Sequence, residues 1–135
     1  MDNSLLVNTP IRKILCQDDD IKNMLTDNFG QIKIFPVIAK AGATYPYVVV
    51  NRDSVTPEYT KDGCYMNVVN VSIFVVDPTY DKCVGLANKI RNKLDLCRYT
   101  DDDIYIDRIE LLSATEYVSE EAYGEELIFE VSMSN

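Results

Sequence analysis

Glu120-Glu121 and Glu125-Glu126 are the side chains whose type and spacing could do acid–base work or hold magnesium, and two aspartate triplets accompany them, Asp18-Asp19-Asp20 and Asp101-Asp102-Asp103. Paired carboxylates serve hydrolysis only when both point at one reacting centre, and adjacent residues on a strand point to opposite faces. The first triplet lacks the D-x-D-x-D-G alternation and the later glutamate that calcium geometry demands. It reads instead as a helix cap, with acids favourable at the positive end of the helix. The second triplet reads as a solvent-facing turn. There is no histidine, so the commonest general base and the usual partner of a serine or cysteine nucleophile are missing. No G-x-S-x-G, P-loop, G-x-G-x-x-G or H-E-x-x-H string occurs. Cys16, Cys64, Cys83 and Cys97 form no C-x-x-C and have no histidine to complete a zinc site, so they are expected as reduced, mostly buried thiols. The expectation is a chain that is no enzyme and carries no metal or cofactor.

The elements that position these residues are organised around Met66–Leu96. Val69, Val71, Ile73 and Val75 share one face at period two, while Val68, Asn70, Ser72, Phe74 and Val76 share the other. This is the pattern of an interior strand. A helix follows, with Asp77 as N-cap, Pro78 at its first position, and Cys83, Val84, Ala87, Ile90 and Leu94 as its apolar stripe. Before this pair, Thr9-Pro10 opens a first short helix, and Ile21, Met24 and Leu25 mark a second. Ile32 and Ile34 begin an edge strand stopped by Pro36. Pro46–Asn51 is a brief β-branched strand. Arg52–Gly63 reads as a twelve-residue polar loop joining two paired strands, long enough to be functional. After the pair, Ile104–Leu111 is a strand with a bulge or bend at Asp107-Arg108. Ser113–Glu125 is too polar and too long for a tight turn. Leu127, Phe129, Val131 and Met133 line the inner face of a last strand. The 135 residues are expected to form one α+β domain, a mostly antiparallel sheet of four to five strands with helices on one face, in the order α-β-β-β-α-β-β.

Charge is distributed unevenly. Residues 1–96 carry eleven acids and eleven bases, whereas 97–135 carry eleven acids against Arg98 and Arg108, so the whole net charge of -9 lies in the last third. Binding nucleic-acid phosphates as a primary task needs a basic face and is disfavoured. No apolar run approaches the ~20 residues that cross a bilayer, and the opening residues do not read as a secretory signal, so residence in a cytoplasm is expected. Nine tyrosines without a tryptophan hint at a binding surface.

Several strings, in their order and spacing, resemble the tail terminator, or tail completion, proteins of tailed phages and prophages. IRKILCQDDDIKNML is similar to that family's opening helices. Ile34-Phe35-Pro36 with Tyr45-Pro46-Tyr47-Val48-Val49 resembles its strand, loop and next strand. Tyr59-Thr60-Lys61-Asp62-Gly63 falls at its long hairpin loop. Ser72-Ile73-Phe74-Val75, Tyr80, Leu86-Ala87 and Ile90-Arg91 resemble its strand and helix, and Thr115-Glu116-Tyr117, Ala122-Tyr123 and Leu127-Ile128-Phe129 its closing hairpin. Gly124-Glu125-Glu126 departs from that pattern by its acidity. The resemblance implies a structural virion protein of the tail or neck, assembled in the bacterial cytoplasm. It implies a ring of six subunits that caps the tail tube, joins tail to head through a head-tail connector protein, and lets DNA pass through its channel. No membrane partner is implied. On this reading, acids of residues 101–126 (Asp101, Asp102, Asp103, Glu120, Glu121 and Glu125) are candidates to face the channel, where like charge keeps phosphate from sticking. Arg52, Tyr59, Lys61 and Asp62 are candidates to reach a neighbouring subunit.

Other readings stay open at this point. They are another head-tail connector of the phage neck, a small non-viral α+β ligand-binding domain, and a hydrolase dependent on magnesium or manganese.

Overall fold

The computed structural model describes residues 2–59, 61, 63 and 65–134; Asp62 and Cys64 lie outside the described residues. A 3-10 turn at Ser4–Leu6 leads into α1 (Asn8–Cys16) and α2 (Asp19–Leu25). Then come β1 (Ile34–Pro36), β2 (Tyr47–Tyr59), β3 (Tyr65–Asp77), α3 (Tyr80–Leu94), β4 (Tyr99–Asp101), β5 (Ile104–Val118) and β6 (Tyr123–Ser134). The six strands form one sheet in the order β1-β2-β3-β6-β5-β4, and only the β1–β2 pairing is parallel. The class is α+β as expected. The sheet has six strands rather than four to five: the expected edge strand is present as β1, and the three-residue β4 adds a further one at the other edge. A piece that short shows no period in sequence.

The period-two pattern of β3 governs the core. Val69, Val71, Ile73 and Val75 are fully buried; Val131, Phe129 and Leu127 of β6 lie opposite the first three in register, and Met133 continues that face opposite Asn67. Val48 and Val50 of β2 and Ile106 and Ile109 of β5 extend this face. Over it lie Ile11, Ile14 and Leu15 of α1, Ile21 and Leu25 of α2, and Cys83, Leu86, Ile90 and Leu94 of α3, in one buried cluster. Each such aliphatic side chain contributes roughly 1.5–3 kcal/mol on burial, which offsets the ordering of the chain. The opposite sheet face keeps Val68, Asn70, Phe74 and Val76 partly exposed.

Asp18 does cap α2, its Oδ1 accepting from the backbone N–H of Asp20 at 2.9 Å and of Ile21 at 3.2 Å. Asp77 does not cap α3. It accepts from Thr79 N–H at 2.8 Å in a turn that delays the helix to Tyr80, with Thr79 at the N-cap. The bulge falls where expected, the β5–β6 register slipping between Ile106 and Arg108.

Two segments read as loops are strands. Arg52 to Tyr59 continues β2, paired through to Tyr59↔Tyr65, so the twelve-residue loop is a hairpin arm. Its pattern is hidden by a bulge at Asp53, which accepts hydrogen bonds from the Ser72 hydroxyl and from Asn51 Nδ2. Pro57 is tolerated because β1 covers β2 only at Val48–Val50, leaving the outer edge beyond it without a strand neighbour among the described residues. Likewise Ser113–Val118 continues β5 and Tyr123 opens β6, leaving only residues 119–122 to turn. Ser119 closes that turn, its N–H and hydroxyl both donating to the Ala122 carbonyl. Residues 112–118 are exposed on both faces, so no apolar alternation marks them as a strand.

Candidate functional site

The candidate residues fall at opposite ends of the sheet. Asp101, Asp102 and Asp103 form the β4–β5 turn, at the end where Tyr59 and Tyr65 close the β2–β3 pairing. Glu120 and Glu121 form the β5–β6 turn at the other end, beside the last residues of β3. Between the two turns β5 runs 15 residues, which at about 3.3 Å per residue is on the order of 45 Å. These acids therefore make two separate acidic turns rather than one cluster.

Asp101 is tethered. Its Oδ2 lies 2.6 Å from Lys13 Nζ and accepts from the Tyr99 hydroxyl at 3.1 Å. These two donors hold its carboxyl below the usual carboxylate range. Asp102 and Asp103 are exposed, as are Glu120 and Glu121, and Glu121 accepts from the Tyr45 hydroxyl at 3.4 Å. Of the residues considered for contact with a neighbour, Tyr59 is 75% exposed and its ring lies 5.5 Å from that of Tyr65. Lys61 is exposed beyond it. Arg52 is turned inward to the N-terminal segment, Nη1 donating to the Leu5 carbonyl at 2.8 Å.

Glu125 differs from the other acids. β6 alternates, so Glu126 faces the open side while Glu125 turns beneath the start of α3 and is only 8% exposed. Directly across the ladder is Glu116 of β5. Burial first, and then the neighbouring Glu116, lifts Glu125 above its ordinary range. Glu116 also accepts from the Tyr80 hydroxyl at 2.6 Å, which pushes the Tyr80 phenol up. A cavity of about 300 Å³ opens here, bounded by Tyr80, Cys83, Val84, Glu116, Tyr117 and Tyr123. Cys83 at its floor is pushed up to about 11, first by burial and then by Glu125, the reverse of what activates a thiolate.

This cavity was not foreseen. The signal available was the register: with a turn at Ser119–Ala122, Glu116 must oppose Glu125. The arrangement sets two opposed carboxyls beside an aromatic, apolar recess. Among the described residues no three His, Cys, Asp or Glu side chains converge as a metal site. Cys16, Cys83 and Cys97 are free thiols, only Cys83 being fully buried.

No protein-family model matches the sequence, and no curated protein matches it. Among solved structures, a chain of the virion of a native gene transfer agent particle superposes with a TM-score of 0.76, covering 93% of this chain and 92% of that one at 13% identity. The two chains share one fold. The superposition takes in nearly all of both.

Proposed function

We propose that this chain is a structural tail completion protein of a phage or prophage particle, forming a ring of six subunits that caps the tail tube and joins it to the head. The observation that carries the reading is the shared fold with a gene transfer agent virion component along nearly the whole length of both chains. Two features of this chain support it. The outer edges of β2 beyond Val50 and of β5 beyond Leu111 have no strand neighbour among the described residues, and a closed ring can cover edges that a monomer leaves open. The net charge also sits in the last third of the sequence, as suits a channel that a polyanion must pass.

With the strands along the ring axis, Asp102 and Asp103 stand at one mouth of the DNA channel and Glu120 and Glu121 at the other. Glu125, buried beneath α3, leaves the channel-facing set. Tyr59 and Lys61, and not Arg52, carry the β2–β3 hairpin end to a neighbouring subunit. The ring's partners are the tail tube protein on one side and a head-tail connector protein on the other. The test is electron microscopy of the purified chain mixed with tail tubes or with DNA-filled heads. Ring density on tube ends supports the reading, density only on head portals transfers the chain to the connectors, and density on neither rejects both.

A further inference from the structure

Among the described residues Phe29 is the most exposed large apolar side chain, at 95%. It is presented on a closed turn: Asp27 Oδ1 accepts from the N–H groups of Phe29 at 2.9 Å and Gln31 at 2.8 Å, and Asp27 N–H donates to the Gln31 carbonyl at 2.8 Å. Gly30, at φ +79, supplies the left-handed residue that this turn requires. An aromatic ring held in water on a short, internally bonded turn costs solvation and loses little entropy on docking. The turn stands on the β1 flank of the sheet, near the level where β1 pairs with Val48–Val50.

The recess beneath Tyr80 and Tyr117 stands on the opposite flank, at β5, and at the same end of the strands. Charge is opposite on the two flanks. Residues 22–44 carry Lys22, Lys33 and Lys40 against Asp27 alone, whereas residues 110–126 carry six glutamates and no base. Among the described residues Lys33 and Lys40 enter no ion pair, and Lys33, only 6% exposed, donates just to the carbonyl and hydroxyl of Thr44.

We infer that Phe29 of one copy of this chain seats in the Tyr80–Val84–Tyr117 recess of the next copy, with the exposed Lys22 and Lys40 of the one flank facing the exposed Glu116, Glu120 and Glu121 of the other. A knob and its socket on opposite flanks make a head-to-tail contact, which propagates around a ring instead of ending at a dimer. The inference rests on the proposed ring and assigns its subunit contact. Aromatic anchors in desolvated recesses dominate such interfaces, and a charged surround sets orientation and rate.

The test places the photoreactive p-benzoylphenylalanine at position 29 of the full chain, with sedimentation velocity of the wild-type chain up to millimolar concentration. Irradiation is expected to give covalent dimers whose crosslinks map to Tyr80, Val84, Tyr117 or Val118. Phe29→Ala, at an exposed position that the fold does not need, is expected to weaken self-association by roughly 30-fold or more. Filling the socket with Val84→Trp should do the same, and an equimolar mixture of the two variants should form heterodimers, since one intact contact remains between them. Self-association with crosslinks elsewhere, or with Phe29→Ala unchanged, overturns this contact and leaves the ring standing. No association and no crosslink at any concentration overturns both.

Discussion

The Tyr80 hydroxyl donates to Glu116 across 2.6 Å, tying the first turn of α3 to the outer half of β5. That half of β5 has no strand beyond it, since β4 reaches only Ile104–Ile106, so this bond and the β6 ladder hold the hairpin arm against the body of the protein. Glu116 thereby stands opposite Glu125, whose carboxyl is buried.

The raised Glu125 carboxyl gives a stability slope of known sign. Burial and the neighbouring Glu116 raise Glu125 in the folded chain above its ordinary 4.5, so the folded state binds the carboxyl proton more tightly than the unfolded state. Its contribution is whole below the unfolded pKa and is lost as pH rises through the raised folded value. Glu125→Gln, neutral throughout, lacks that loss. Urea midpoints at pH 4 to 8 should show the variant gaining on the wild type as pH rises; a constant gap would mean that folding leaves the Glu125 carboxyl at its ordinary value.

Phe129 is fully buried in the middle of β6, between Val71 of β3 and Leu111 of β5 in register. Phe129→Ala should cost about 3–5 kcal/mol in denaturant unfolding. Leu112, at the β5 register slip and 53% exposed, should change stability by less than about 0.5 kcal/mol when replaced by serine.

Asp18 satisfies two otherwise free N–H groups at the start of α2, a helix of only 7 residues. Asp18→Ala is expected to cost roughly 1 kcal/mol and to speed amide exchange at Asp20 and Ile21 before the rest of the helix. Uniform exchange across α2 would mean that packing of Ile21 and Leu25, and not the cap, holds its first turn.

What was legible in the sequence follows from which residues are buried on one side only. β3, β6 and α3 alternate or repeat clearly because one face of each meets the core, and Ile21 and Leu25 placed α2 for the same reason. The outer halves of β2 and β5 gave no such signal. Arg52–Tyr59 and Ser113–Val118 are ordered by backbone ladders with little apolar burial, so their residue types read as loop. The candidate acids were legible as a charge imbalance but not as two separate turns, since their separation depends on where β5 begins and ends. The Glu116–Glu125 pair and its recess needed the register of that hairpin, which a polar sequence does not fix. Phe29 gave no signal, because exposure of a single aromatic has no signature in sequence.

Deleting the gene from a strain that produces the particle, and examining the lysate by electron microscopy, bears most directly on the claim that this chain closes tails and joins them to heads. Tubes lacking an end ring and heads without tails, both corrected by supplying the wild-type chain, are the predicted result. Complete particles with normally joined tails in its absence would contradict it.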